Sequence, residues 1–160
     1  MVSSHFDSDG AARMVDVSQK AITVRTATAQ TVVRMQAATL QMIAEGSHKK
    51  GDVLAVARLA AIMATKQTQQ LIPLCHAIPI EAVDVAFSDC LDTNSGEGLL
   101  DCRVTVRTTA KTGVEMEAMT AATIAGLTVY DMCKSVDRGM QLETVRLIEK
   151  SGGQSGDFRA

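Results

Sequence analysis

Leu100-Asp101-Cys102-Arg103-Val104-Thr105-Val106-Arg107, running to Lys111-Thr112-Gly113-Val114-Glu115-Met116-Glu117, decides the fold class. In the first part Leu100, Cys102, Val104 and Val106 alternate with Asp101, Arg103, Thr105 and Arg107. Strand side chains point to opposite faces in turn, so this pattern predicts an antiparallel strand with one face buried and one wet. The second part opens a helical pattern over 113–135 that ends Tyr130-Asp131-Met132-Cys133-Lys134. Thr112 and Glu115 stand in the T-x-x-E relation of a capping box. A partner strand over 79–88 precedes the polar turn Ser88–Gly98, which makes the pair a hairpin.

Upstream, Met14-Val15-Asp16-Val17-Ser18 and the small apolar residues alternating with Thr or Arg over 21–29 read as strand. From Thr31 to Glu45, Val32, Val33, Met35, Leu40, Met42 and Ile43 suggest an amphipathic helix stopped by Gly46. Asp52 can cap a second helix running to about Leu71, where Pro73 ends it. That helix is apolar nearly all round over Val53–Ala64, so both its sides need cover and a subunit interface is expected. A last strand falls near Thr144–Glu149. The order predicts an α+β, ferredoxin-like antiparallel sheet with helices packed on one face. Residues 1–12 read as a flexible N-terminal tail, 13–150 as a single catalytic α+β domain, and 151–160 as a Gly-rich C-terminal loop or tail.

The chain has 160 residues, enough to bury a core without disulfides, and 46% of them are hydrophobic. Aromatics are only 2%, so aliphatic residues and nine Met fill the interior. A formal net charge of −2 argues against general binding to nucleic acid or to anionic membranes. No run reaches the length of a transmembrane helix and the polar start lacks a signal-peptide core, so a cytoplasmic location is expected. Cys75, Cys90, Cys102 and Cys133 show no metal spacing and read as buried small hydrophobes. His5 falls in the tail and His48 in a connector, leaving His76, just after Pro73, as the histidine a loop presents.

Several ionisable groups sit where local physics does not ask for them. Lys49, Lys50 and Lys111 lie just ahead of helix starts, where cations are mildly unfavourable but an anion is welcome. A phosphate-bearing ligand is the leading inference, with Lys150-Ser151-Gly152-Gly153 as a further contact. Glu117, Ile124 and Asp131 recur every seven residues and stay within about 40° on the helix. Lys134 follows Asp131 by three positions, within touching distance. Tyr130 and Met132 suggest a partly covered pair, in which the carboxyl pKa rises and the lysine pKa falls toward acid–base use. Glu117 and Asp131, about 21 Å apart along one helix, cannot serve one small site from one chain. Neighbouring subunits would have to bring opposite helix ends together.

Met14–Ser18, Lys50-Gly51-Asp52, Leu71-Ile72-Pro73-Leu74-Cys75-His76, Lys111–Ala118, Tyr130–Lys134 and Lys150–Gly153 together resemble the molybdenum cofactor biosynthesis protein C family, the cyclic pyranopterin monophosphate synthases. The resemblance covers about residues 14 to 158. It implies a ferredoxin-like fold and a homohexamer, a trimer of dimers, with active sites at subunit interfaces. It implies a lyase that converts a purine-derived triphosphate, (8S)-3',8-cyclo-7,8-dihydroguanosine 5'-triphosphate, into cyclic pyranopterin monophosphate and diphosphate. Asp131, Lys134 and Lys50 then match the catalytic positions. Leu74, Cys75, His76, Glu115, Met116, Glu117, Arg25, Lys111 and Lys150 match substrate-binding ones. No metal and no resident cofactor are implied, and whether Mg²⁺ accompanies the triphosphate stays open. Ala77 departs from the family, where many members have Pro after the His. The alternative is a non-catalytic, nucleotide-binding ferredoxin-like regulatory module, which leaves Asp131 and Lys134 without a task.

Overall fold

The computed structural model describes residues 5–92 and 95–160. Residues 1–4 of the expected tail and 93–94 of the expected turn lie outside them. Five strands form one antiparallel sheet: β1 (Thr23–Met35), β2 (Ala82–Leu91), β3 (Gly98–Ala110), β4 (Gln141–Ser151) and β5 (Phe158–Arg159), in the order β2-β3-β1-β4-β5. The helices are α1 (Ala37–Ala44), α2 (Val53–Leu71) and α3 (Glu115–Cys133). Without β5 this is the ferredoxin-like order, and the α+β expectation holds.

The alternation read in β3 sets the architecture. Leu100, Cys102, Val104 and Val106 are buried and pair across to Val33, Thr31, Ala29 and Ala27 of β1. Those side chains share the face covered by helices, where Ala118, Ala121, Ala122 and Ala125 of α3 pack with Ala61 and Ala64 of α2. Alanine-lined contacts let the elements approach closely. Gly126 shows how close the seat is: an added Cβ there would lie 3.2 Å from both Thr31 and Leu142. The opposite sheet face is polar, as in the chain Arg146 Nε to Gln30 Oε1 (3.0 Å) and Gln30 Nε2 to Asp101 Oδ2 (2.5 Å).

The N-terminal half differs from expectation. The stretch 31–35, anticipated as the start of a helix, continues β1, and α1 begins only at Ala37. Thr31, Val32 and Val33 are β-branched and bond to β3 on one side and β4 on the other. Two long-range ladders outweigh a local period that suits a helix. Residues 14–22, anticipated as strand, form none. The last strand is longer than expected, and the C-terminal stretch anticipated as loop or tail adds β5, pairing Phe158 with Lys150 and Arg159 with Glu149. In the segment expected as a flexible tail, a Phe6–Ala12 bridge closes a small hairpin.

α2 follows its sequence closely: Asp52 Oδ1 accepts a hydrogen bond from Ala55 N at 2.9 Å, and the helix runs to Leu71. Val56, Leu59 and Met63 form an exposed apolar stripe on its outer side. Among the cysteines, Cys102 and Cys133 are buried and Cys75 is half-buried, but Cys90 is exposed, because the edge strand β2 turns it outward. Burial pushes the Cys102 thiol up to about 12.

Candidate functional site

Helix α3 carries the candidate residues at its two ends, and the structure gathers them into two groups. At the N-terminal end, the loop after α2 folds back through a Cys75 N to Ile72 O bond of 3.1 Å and presents Leu74, Cys75 and His76. With Glu115, Met116 and Glu117 they line a cavity of about 360 Å³. His76 Nε2 donates to Val15 O at 2.8 Å, which leaves Nδ1 as the ring atom that can exchange a proton. Val15 and Val17 line the same space, so the 14–18 motif acts as a wall rather than a strand.

The capping box anticipated between Thr112 and Glu115 does not form. The N-cap is Val114 with no side-chain bond, and Glu115 instead meets Lys150, Oε1 to Nζ 3.0 Å. A lysine from β4 outcompetes the backbone for the carboxylate. Lys150 Nζ also donates to Ser155 Oγ at 2.9 Å.

A second cavity, about 440 Å³, shares Lys20, Thr112, Gly113 and Glu115 with the first and adds Arg25 and Lys111. Arg25 is only 8% exposed, yet no carboxylate pairs with it among the described residues. Its Nη1 and Nη2 reach only the carbonyls of Gly152 (3.4 Å) and Lys111 (3.5 Å), and its Nε has no partner. A buried cation held by two long bonds is poised for an anion. Gly152 and Gly153, with φ of 88° and 85°, make room for it: a Cβ at Gly153 would fall 1.6 Å from Nη1. Lys111 Nζ is strapped to Ser18 O at 2.6 Å. Lys20, lining both cavities, was missed in the sequence; nothing in its local pattern separates it from a solvated lysine.

Glu117 is 4% exposed, and burial first, then Glu115, raises its pKa above the ordinary 4.5. Its carboxyl is thereby drawn toward the neutral form that can donate a proton. Folded pKa above unfolded pKa means that the native state holds the extra proton. Stability therefore falls as pH rises from 4.5 through the raised value, and the ionisation cost is fully present above it. Glu117→Gln is expected to raise the thermal midpoint at pH 7, on the order of a few degrees, with no gain at pH 4. Calorimetry at the two pH values measures this; an equal shift at both would remove the buried-carboxylate explanation.

At the C-terminal end of α3, Lys134 Nζ lies 2.6 Å from Asp131 Oδ1, and Lys50 Nζ donates to Asp131 O at 3.2 Å. Lys50 is set there by its turn, where His48 Nδ1 accepts from Lys50 N at 3.0 Å and the imidazole is buried. The covered setting expected for the pair is absent in the protomer: the side chains of Asp131 and Lys134 are 64% and 52% exposed. The anticipated pKa directions are accordingly reversed. Hydrogen bonding to Lys134 holds Asp131 below the usual carboxylate range, and the same bond raises Lys134. Desolvation is too weak here to oppose the pair's own attraction.

Among the described residues no group of three or more His, Cys, Asp or Glu is placed to hold a metal, and no helix is long and apolar enough to cross a membrane. The MoaC family model matches residues 14–153. The chain is 57% identical over 162 residues to a cyclic pyranopterin monophosphate synthase of Rhodopirellula baltica, covering 98% of this chain and 93% of that protein. It is 55% identical over 158 residues to cyclic pyranopterin monophosphate synthase 3 of Mycobacterium tuberculosis and of Mycobacterium bovis, covering 99% of this chain and 86% of each. The matched span contains both ends of α3, and the chain belongs to the MoaC family.

Proposed function

We propose that the protein is a cyclic pyranopterin monophosphate synthase, a phosphorus–oxygen lyase that converts the cyclic dihydroguanosine triphosphate to cyclic pyranopterin monophosphate and diphosphate. The observation that carries this reading is Arg25, a buried guanidinium with no carboxylate partner among the described residues, opening onto a cavity that shares its lining with one walled by carboxylates, His76 and Cys75. The cationic cavity suits the triphosphate and the other the purine-derived ring. Attack of a sugar hydroxyl on the α-phosphorus forms one P–O bond and breaks the one to diphosphate. The hydroxyl proton needs a base, and the departing charge falls to Arg25, Lys111 and Lys20. Ring opening and pterin closure need further proton transfers, which suit Glu117, His76 and the Asp131–Lys134–Lys50 group.

That last group lies at the far end of α3, so it serves the cavities of a neighbouring protomer. The exposed stripe of Val56, Leu59 and Met63 is the kind of surface a subunit contact covers, in keeping with a homohexamer built as a trimer of dimers. The reading calls for no resident cofactor, any Mg²⁺ entering as the triphosphate's counter-ion. It places the enzyme in the cytoplasm.

Purified protein given the cyclic triphosphate should release diphosphate. Arg25→Met should lower kcat/KM by roughly 10²–10³, the scale for losing one preorganised charge contact. Recovery of the nucleotide bound but unaltered by the wild-type chain would favour the regulatory module instead.

A further inference from the structure

We propose that the N-terminal hairpin is a strap that seats His5 against the ring portion of the substrate, making His5 a substrate-contacting residue. The proposal rests on the reading of the 360 Å³ cavity as the site for that ring. His5 lines this cavity together with Cys75, His76 and Glu117, although it precedes them by some seventy residues or more.

The hairpin that delivers it is self-contained. Arg13 N donates to His5 O at 2.9 Å and Asp7 N to Ala11 O at 3.0 Å, on either side of the Phe6–Ala12 bridge. Asp7 Oδ1 accepts from Asp9 N (3.0 Å) and Ala11 N (2.8 Å), an Asx-type turn that Gly10 completes with φ 81°. A Cβ added at Gly10 would have no neighbour within 4 Å. Two residues beyond the hairpin, Val15 O receives His76 Nε2, so strap and His76 loop are tied to each other. A polar tail of this composition would stay solvated if it had no task, since ordering each residue costs conformational entropy. To a cavity that already holds His76, Glu115 and Glu117, His5 adds a second imidazole able to donate or accept at a purine-derived ring edge.

The full chain is assayed for diphosphate release as wild type, His5→Ala, Gly10→Val, Gly10→Asn and Glu117→Gln. His5→Ala should raise KM about two- to tenfold, the worth of one hydrogen bond, with a smaller change in kcat. Gly10→Val strains the turn without reaching the cavity and should raise KM in the same way, while Gly10→Asn, tolerated at positive φ, should match wild type. Thermal midpoints within a degree or so of wild type separate these effects from unfolding. An unchanged KM in His5→Ala beside an impaired Glu117→Gln overturns the strap alone. A raised KM in His5→Ala but not in Gly10→Val overturns the hairpin as the device that positions His5. Normal turnover by Glu117→Gln removes the cavity's assignment and the strap with it.

Discussion

Co-expressing Asp131→Ala with Glu117→Gln is expected to restore diphosphate release to roughly a quarter of wild type, although each variant alone is nearly inactive. With sites shared between two protomers, as proposed, half of randomly paired dimers would combine one chain of each kind, and each such pair would keep one of its two sites intact. The expectation follows from the placement of the two groups. Glu117 lies buried at the start of α3 and Asp131 exposed at its end, with Lys134 and Lys50 beside it. Alone, Asp131→Ala should cost roughly 10²–10⁴ in rate, the range for losing a positioned acid or base. Because Asp131 is so exposed, its removal should leave the thermal midpoint where it was. A mixture no more active than its parents would mean that the two ends of the helix do not meet in one site.

The second large effect is on stability. Asp137, in the connection between α3 and β4, is 1% exposed. Its Oδ2 accepts from Gln36 N at 2.8 Å and from Thr39 Oγ1 at 3.2 Å, and its Oδ1 from Gly139 N at 3.1 Å. α1 has no capping side chain of its own, since Gln36 occupies its N-cap without a side-chain bond. Asp137 therefore caps the helix from a hundred residues away. Asp137→Ala takes the acceptor from three donors, of which the Thr39 hydroxyl is buried and the Gln36 and Gly139 N–H groups part-buried, and should lower unfolding free energy by about 2–4 kcal/mol. Asp137→Asn retains an acceptor oxygen and should lose clearly less. Urea unfolding at one fixed protein concentration compares them, and equal losses would show that the volume rather than the acceptor matters.

What the sequence makes legible is what local chemistry determines. The cap and stop of α2 could be read because Asp52, the apolar run and Pro73 act on their immediate neighbours. The face of β3 could be read because alternation is itself the signal. Leu74, Cys75, His76, Met116 and Glu117 line one cavity because a tight turn and one helix start hold them. Thr31–Met35 misled because strand pairing with β3 and β4 comes from residues far along the chain. The same distance hid Asp137 as a cap and turned Glu115 away from Thr112 toward Lys150. The ionisation of Asp131 was misjudged because Tyr130 and Met132 are its neighbours in sequence, whereas on a helix they point about 100° to either side.

The alanine-lined seat of α3, with Gly126 pressed on Thr31 and Leu142, also limits how this chain can drift over generations. A one-residue insertion between Glu117 and Asp131 would swing the far carboxylate by about 100° and lift it by about 1.5 Å. It would also push a side chain into the place that Gly126 leaves empty. Indels should therefore be purged from this rod, while length variation gathers in connections that touch neither of its tips.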